Sequence, residues 1–360
     1  MISFHDVNKK YLDHSFEDFK KIKVSDKLDF FERNDRIYDV LFSQQFKRDF
    51  LDTLFVLGNK IRLISKTKEG ADWLRTLLSN KRGMLYFVQP STRTFLSFCT
   101  ACQILGMKTA EVRSMETSSE IKGESFDDTI RTFSSYFDMI IMRHPQAGSA
   151  EQASFALNKT KRPVPVISAG SGKDQHPTQA LLDIFTLMKS FQRVGGLKNK
   201  TIMMVGDLKR GRTVRSLSYL LKNFNNVKII YSSPKEFKME NDIKEFLKES
   251  NIPYSETTKF EEMIPEADAI YMTRIQDEHD KKRGDSKKVS ISKFTFKEDH
   301  LKILKPNAII MHPLPRRSEI ELSVDEDPRA MYWRQERNGM WIRAALIAYI
   351  FRLENKILER

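Results

Sequence analysis

Five arginines fall directly after short apolar runs of strand length: Arg93, Arg143, Arg212, Arg274 and Arg316. Their neighbours are rich in hydrogen-bond donors. Gln89-Pro90-Ser91-Thr92-Arg93-Thr94 follows the run Met84 to Val88 and leads into a helical pattern of Phe95, Leu96, Phe98, Ala101 and Leu105. Arg143-His144-Pro145-Gln146 follows Met139 to Met142, and Ser168 to Gln175 with His176-Pro177-Thr178-Gln179 follows Val164 to Ile167. In the second half the runs end in Gly206 to Arg212, in Arg274-Ile275-Gln276 and in His312-Pro313-Leu314-Pro315-Arg316. Planar guanidinium groups pair two N–H donors with the oxygens of a phosphate or carboxylate, and carboxylates are few here. The pattern therefore suits strongly anionic ligands, a phosphate together with carboxylates. Ser91 to Thr94 is the best single phosphate candidate. The first N–H groups of a helix lack internal partners and its dipole favours an anion, while the hydroxyls of Ser91, Thr92 and Thr94 and the charge of Arg93 add to this. Taken alone, the segment reads more plainly as an N-cap beside a solvated arginine.

Other motifs point elsewhere less well. Gly206 to Thr213 reads G-x-x-x-x-G-R-T, one residue from a P-loop. Arg212 stands where the compact lysine charge is needed, and no acidic strand end follows to hold magnesium. His144, His176 and His312 all precede proline at strand ends and could converge on zinc. Arg143 and Arg316 beside them would repel a cation, and no carboxylate adjoins to orient the rings, so no metal is expected. Cys99 and Cys102 lack the second pair a structural zinc needs and read as small residues on a core face. Asp174, Glu120 and Glu124 fall near these segments without a readable role.

The elements that must position these residues alternate. Strand-length runs at Met84–Val88, Met139–Met142, Val164–Ile167, Ile202–Val205, Val227–Tyr231, Ala269–Thr273 and Ala308–Met311 are separated by helical patterns at Leu181–Phe191, Ser216–Phe224 and Asp242–Lys248. That order predicts an α/β fold of two doubly wound domains, each a mostly parallel, buried sheet flanked by helices. In such sheets ligands bind beyond the carboxyl ends of the strands. Ser43 to Ser65 has helical periodicity, His279 to Ser292 reads as a long mobile loop, and one final helix is expected over Gly339 to Leu358. The first 36 residues, with eight Lys/Arg against eight Asp/Glu, read as an ordered extension rather than a basic arm.

Composition narrows the class. The chain carries 61 Lys/Arg against 48 Asp/Glu, a net charge of +13, with 40% hydrophobic and 30% charged residues. This describes a globular chain that favours anionic partners. Aromatic residues do not interleave with the basic ones as on a nucleic-acid platform, so no nucleic-acid partner is expected. The longest apolar run, Ala344 to Phe351, falls far short of the ~20 residues that span a bilayer, so no membrane partner is expected either. Met1 to Asp6 lacks the basic and apolar regions of a secretory signal. Two cysteines exclude a disulfide framework; together these point to the cytoplasm.

In sequence order from about Val40 to the C-terminus, the segments resemble the aspartate/ornithine carbamoyltransferase family, and within it the members that accept aspartate. The motifs are Pro-Ser-Thr-Arg-Thr, Ser-x-x-x-Lys-Gly-Glu (Ser118 to Glu124), Met-Arg-His-Pro-Gln, His-Pro-Thr-Gln-Ala-Leu-Leu-Asp, Gly-Asp-Leu-Lys-x-Gly-Arg-Thr-Val, Tyr-Met-Thr-Arg-Ile-Gln and His-Pro-Leu-Pro-Arg. The resemblance implies a carbamoyltransferase of pyrimidine biosynthesis without a cofactor. Residues 37–178 with the C-terminal 338–360 would bind carbamoyl phosphate and 179–337 would bind aspartate, with 1–36 outside the likeness. It implies a site between the two domains, and a homotrimer in which a neighbouring subunit completes that site.

Carried over motif by motif, Ser91, Thr92, Arg93 and Thr94 would hold the phosphate. Arg143 would bridge phosphate and carbonyl oxygen, and His176 would bind that oxygen. Gln179 and the backbone carbonyls of Leu314 and Pro315 would hold the carbamoyl amide. Arg212, Arg274 and Gln276 would bind the acceptor's carboxylates, and Lys122, with Ser118 or Ser119, would come from the neighbouring subunit. The catalytic set is then Arg93, Thr94, Arg143 and His176. Ornithine-type members typically carry a cysteine in the motif that reads His312-Pro313-Leu314-Pro315 here and lack the Arg274-x-Gln276 pair. The alternatives are transfer to ornithine or an acylated ornithine, and a weakly active or non-catalytic homologue. Two departures motivate the last: Gln89 stands where the family usually has an acidic residue, and His279 where it often has arginine. Whether regulatory chains attach is not written in these motifs.

Overall fold

In a computed structural model of the protein, the structure describes residues 10–114, 123–171, 175–277 and 292–360. The chain divides into two compact units, Met1–Thr178 with Gly339–Arg360, and Gln179–Asn338.

The first unit opens with α1 (Phe16–Lys21), the short antiparallel pair β1 (Glu32–Arg33) and β2 (Arg36–Ile37), and helices α2 (Arg48–Ile64) and α3 (Lys68–Thr76). Four parallel strands follow: β3 (Arg82–Phe87), β4 (Lys108–Val112), β5 (Met139–Arg143) and β6 (Val166–Ser168). They are joined through α4 (Thr92–Ile104), α5 (Phe126–Tyr136) and α6 (Ser149–Asn158). Their order is β4-β3-β5-β6, with Phe87 beside Arg143 in register. Strands β3 and β5 are apolar and buried almost throughout because helices cover both faces of a parallel sheet. At the edge, β4 reads Lys-Thr-Ala-Glu-Val and is half-exposed. Without an apolar run it gave no strand signal in the sequence.

Residues 10–36 are built into this unit. Tyr11, Phe19, Phe30 and Phe31 share one core cluster with Ile140, Phe155 and Val166, and the rings of Phe19 and Phe155 stack at 4.7 Å. Lys27 is 1% exposed. Its ammonium donates to Glu151 Oε1 at 2.5 Å and to the carbonyls of Phe19 and Lys20 at 3.2 and 3.3 Å.

The second unit runs through α7 (Pro177–Phe191), β7 (Thr201–Val205), α8 (Arg212–Leu221), β8 (Lys228–Ser232), α9 (Asn241–Glu249), β9 (Tyr254–Thr257), α10 (Phe260–Met263), β10 (Ala269–Met272) and β11 (Ile309–Met311). The parallel order is β11-β10-β7-β8-β9. Polar β9 is again an edge strand without an apolar run. The loop read over His279 to Ser292 lies outside the described residues as far as residue 291. The single final helix expected over Gly339 to Leu358 is corrected. Helix α11 (Tyr332–Ile350) begins seven residues earlier and ends before Arg352, whose φ of +58° breaks the helical path ahead of α12 (Glu354–Leu358). Among the described residues no helix is long and apolar enough to cross a membrane.

The core of the second unit holds a carboxylate. Asp183, on α7, is fully buried. Its Oδ1 accepts from Gln179 Nε2 at 3.0 Å and Gln335 Nε2 at 2.7 Å, and its Oδ2 from the Tyr271 hydroxyl at 2.8 Å. Burial drives this carboxyl up to about 7, against the pull of those three donors.

Two outcomes follow from these buried charges. Lys27→Ala leaves the Glu151 carboxylate buried without its cation and should destabilise the first unit by about 3–5 kcal/mol, whereas Lys27→Met with Glu151→Leu should be near neutral. Urea denaturation of both variants measures this, and equal losses would contradict it. For Asp183, the folded chain holds its proton more tightly than the unfolded chain between about pH 4 and pH 7. Stability should therefore fall as pH rises through that window, by up to ~1.4 kcal/mol per pH unit. Asp183→Asn should flatten this fall in pH-dependent unfolding, and an unchanged profile would sink the assignment.

Candidate active site

Both sheets reverse their winding. In the first, the chain adds β4 on one side of β3 and then β5 on the other; in the second, β8 and β9 extend from one side of β7 and β10 starts the other. Connections leaving to opposite faces open a crevice at the carboxyl edge of such a pair of strands. The segments singled out by their arginines sit at these two places.

In the first unit, β3 ends in Gln89 to Ser91 and α4 starts at Thr92. Gln89 donates its backbone N–H to the Arg143 carbonyl at 3.1 Å, which ties this turn to the end of β5. Ser91 is the N-cap, but its hydroxyl makes no capping bond. The first bond of the helix runs from the Phe95 N–H to the Ser91 carbonyl at 3.3 Å. The start of α4 thus presents the N–H groups of Thr92, Arg93 and Thr94 where an anion is favoured. Thr92 and Arg93 are exposed, and Thr94 is buried. Arg143 and His176 are buried and meet at Gly170: a Cβ there would lie 2.8 Å from His176 Cδ2 and 3.2 Å from Arg143 Nη1. Gly170 has a φ of +88°, which L side chains rarely adopt, so glycine serves both the turn and the approach of the two rings of donors. Arg143 Nη1 also donates to the Ala169 carbonyl at 3.1 Å. Ser91, Thr92, Arg93, Thr94, Arg143 and His176 therefore lie at the ends of neighbouring strands β3, β5 and β6.

In the second unit, Arg212 opens α8 after β7, while Arg274 and Gln276 follow β10, the neighbouring strand. Asp207, fully buried, binds the two turns together. It accepts from Arg210 N–H at 3.2 Å and Nε at 2.7 Å, and from Gln276 N–H at 3.1 Å. Arg274 Nη1 donates to the Ile275 carbonyl at 3.0 Å and stands 3.8 Å from Asp277. The 206–212 turn is no phosphate cradle. The N–H groups of Leu208 and Lys209 both reach the Phe237 carbonyl at 3.1 Å, and that of Arg210 goes to Asp207, so the donors a P-loop aims at its ligand are spent on the protein.

On the other side of β10, β11 leads into the His312–Pro315 turn, where the Leu314–Pro315 peptide bond is cis and Leu314 has a φ of +52°. The His312 ring fixes this turn: Nδ1 accepts the Leu314 N–H at 2.8 Å, so Nε2 carries the proton and donates to Glu319 at 2.7 Å. Burial is the largest influence and works to raise the Glu319 carboxyl, but the His312 bond and charge together with backbone N–H bonds, that of Arg317 among them, hold the group below the ordinary carboxylate range. Gln179, on α7, is buried and bound to Asp183.

The structure corrects one member of the arginine set. Arg316 is held by Asp325 through both Nη atoms and by the Tyr332 hydroxyl at 3.2 Å, so its charge is neutralised within the unit and it leaves the anion-binding rim. His144 Nδ1 accepts the Gln146 N–H at 3.1 Å. Among the described residues no three His, Cys, Asp or Glu side chains gather as a metal ion requires. Cys102 is buried in α4, with Cys99 half-buried beside it. Lys122, Ser118, Ser119, Glu120, Asp174 and His279 lie outside the described residues. Sequence reasoning assigned no role to Asp183, Asp207, Gln335 or Gly170. A signal existed for Asp183, four residues after Gln179 on one helix face.

Residues 39–189 match the aspartate/ornithine carbamoyltransferase carbamoyl-P binding domain, and residues 198–350 the Asp/Orn binding domain of the same family. The chain is 41% identical over 310 residues to the chloroplastic aspartate carbamoyltransferase of Arabidopsis thaliana, covering 86% of this chain and 76% of the relative. It is 42% identical over 316 residues to the aspartate carbamoyltransferase catalytic subunit of Clostridium novyi, covering 86% and 96%. Aspartate transcarbamoylase from Trypanosoma cruzi, solved with carbamoyl aspartate and phosphate, superposes with a TM-score of 0.76 at 33% identity, covering 86% of this chain and 94% of that one. The plant relatives, including those of pea and rice, are chloroplastic, which overturns the expected cytoplasmic location. A low cysteine count rules out an oxidising disulfide framework but does not distinguish the cytoplasm from a reducing organelle. The chain belongs to the aspartate/ornithine carbamoyltransferase family.

Proposed function

We propose that the protein transfers the carbamoyl group of carbamoyl phosphate to the amine of L-aspartate, giving N-carbamoyl-L-aspartate and phosphate, a step of pyrimidine biosynthesis. The observation that carries this reading is the placement of the two arginine sets. One stands at the reversal point of the first sheet beside an uncapped helix start, and the other at the reversal point of the second. A phosphate suits the first. The second offers Arg212 and Arg274 at the ends of adjacent strands β7 and β10, two cations for a dicarboxylic acceptor. Ornithine would bring an ammonium against them, and the turn at His312 lacks a cysteine.

The neutral amine attacks the carbonyl carbon, a C–N bond forms, and the bond from carbon to the phosphate oxygen breaks. The departing phosphate takes up the amine proton. No protein nucleophile is required because the carbamoyl group is already activated. Thr94, Arg143 and His176 supply preorganised donors to the developing oxyanion, and Ser91, Thr92 and Arg93 hold the phosphate. Gln179 with the carbonyls of Leu314 and Pro315 accepts from the carbamoyl NH2, and Arg212, Arg274 and Gln276 take the acceptor's carboxylates. Holding two mutually repelling anions side by side provides much of the rate. The functional unit is a homotrimer, with Lys122 contributed by the neighbouring subunit.

Three variants check these roles by carbamoylaspartate formation. Arg93→Ala should lower kcat by about 10²–10³, the loss typical of a missing transition-state donor; near-normal turnover would contradict its place on the phosphate. Gly170→Ala should lower kcat at least ~10-fold and lower the thermal midpoint as well, because the new methyl meets His176 and Arg143 and the positive φ strains any L residue. Retained turnover would remove these two from the carbonyl oxygen. Mixing Lys122→Ala chains with Arg93→Ala chains should restore activity, since a mixed trimer contains one site with neither lesion. No recovery after demonstrated subunit exchange would exclude the shared site.

A further inference from the structure

We propose that Asp183 is a positioning residue that fixes the amide orientation of Gln179 and, through Gln335, the backbone of the His312–Pro315 turn, so that both present acceptors to the carbamoyl NH2. The inference rests on the proposed carbamoyl transfer and assigns a role to a residue that touches neither substrate. A glutamine amide can face a ligand with its oxygen or its nitrogen, and the two ends are nearly identical in shape. Recognition of an NH2 group requires the oxygen. An ionised carboxylate only accepts, so whichever end of Gln179 faces Asp183 must be the NH2 end; that is the observed bond, Nε2 to Oδ1 at 3.0 Å. The Gln179 Oε1 is thereby turned away from the carboxylate and left to accept.

The same oxygen of Asp183 sets a second glutamine. Gln335 donates Nε2 to Oδ1 at 2.7 Å, which leaves its Oε1 to accept the backbone N–H of His312 at 3.0 Å. His312 in turn accepts the Leu314 N–H at 2.8 Å and donates to Glu319, and Leu314 is held at a φ of +52° that a branched residue adopts only when its surroundings impose it. One buried acceptor, shared by α7 and α11, therefore determines which way two amides point and where the 314 and 315 carbonyls are carried. Tyr271 occupies the other carboxylate oxygen and also interacts with the Gln179 amide. A second polar link between the same helices, Asn338 Nδ2 to Thr186 Oγ1 at 3.0 Å, provides a comparison for purely structural effects.

The test is a double-mutant cycle at pH 8.5, above the value of about 7 at which Asp183 gains its proton, with kcat, KM for carbamoyl phosphate and thermal midpoint recorded for each protein. Asparagine keeps the shape but can donate, so it lets Gln179 turn round. Asp183→Asn should raise KM for carbamoyl phosphate at least tenfold, yet less than threefold when added to Gln179→Ala, because its effect passes through that side chain. Thr186→Val should shift the thermal midpoint without moving KM. A folded Asp183→Asn protein with wild-type KM, or effects that multiply independently, would overturn the proposal. Should Asp183→Asn not fold, Gln335→Met removes the link to His312 together with its own bond to Asp183, leaves the Gln179 bond in place, and should raise the same KM about fivefold; an unchanged KM overturns that arm. A wild-type protein that transfers no carbamoyl group at all would refute the proposed function instead. Hydrogen exchange of the Gln179 and Gln335 side-chain amides, slow in the wild type and fast in the Asp183 variant, then decides whether Asp183 orients them.

Discussion

Guanidinium groups carry their charge permanently, and a turn that offers one to an anion must fix the side chain without cancelling that charge. A carboxylate beside each arginine would secure the geometry and abolish the affinity, as at Arg316, where Asp325 takes both Nη atoms. Arg143 donates to the main-chain carbonyl of Ala169, and Arg274 to that of Ile275 with the Asp277 carboxylate 3.8 Å away, so main-chain acceptors help to anchor both side chains. The acidic groups that the site uses are placed one step back. Asp207 ties the 210 turn to Gln276, Glu319 holds the His312 ring, and Asp183 holds two glutamines. Buried anions thus supply rigidity to the turns of the second unit.

The parallel sheets make this division possible. Consecutive crossovers to opposite faces leave a crevice at the carboxyl edge, between β3 and β5 in one unit and between β7 and β10 in the other. Helix starts meet that edge, so Ser91 to Thr94 and Arg212 arrive together with first-turn N–H groups that the helix itself does not use. Much of the chain serves to keep the strands behind these turns in register. The aromatic cluster of residues 10–36 does so in the first unit, packing Phe19 and Phe30 against Phe155 under the sheet.

Most of this was legible in the sequence, for a definite reason. Buried parallel strands are apolar runs, so each run from Met84–Val88 to Ala308–Met311 became a strand, and polar residues after a run lie at the ligand edge. Strands β4 and β9 escaped because these two edge strands carry polar residues and leave no run, whereas β6 and β11 at the opposite edges are buried throughout. The start of α11 escaped because Tyr332 to Asn338 is largely polar, and its buried members Tyr332, Gln335 and Asn338 form hydrogen bonds rather than an apolar stripe. Arg316 was misjudged since its neutralising partner lies nine residues on, in a turn that no periodicity announces. Asp183 and Asp207 were visible as residues but not as struts, because only tertiary contact gives a buried acid its partners.

The claim that a phosphorylated and a dicarboxylic ligand meet two separate arginine sets is tested most directly by acceptor competition. Labelled carbamoyl phosphate would be offered with aspartate, ornithine and an N-acylated ornithine in parallel, with the inert dicarboxylate succinate added in turn. The expected result is label in carbamoylaspartate alone, with succinate competing against aspartate. Label in ornithine, or indifference to succinate, would contradict it.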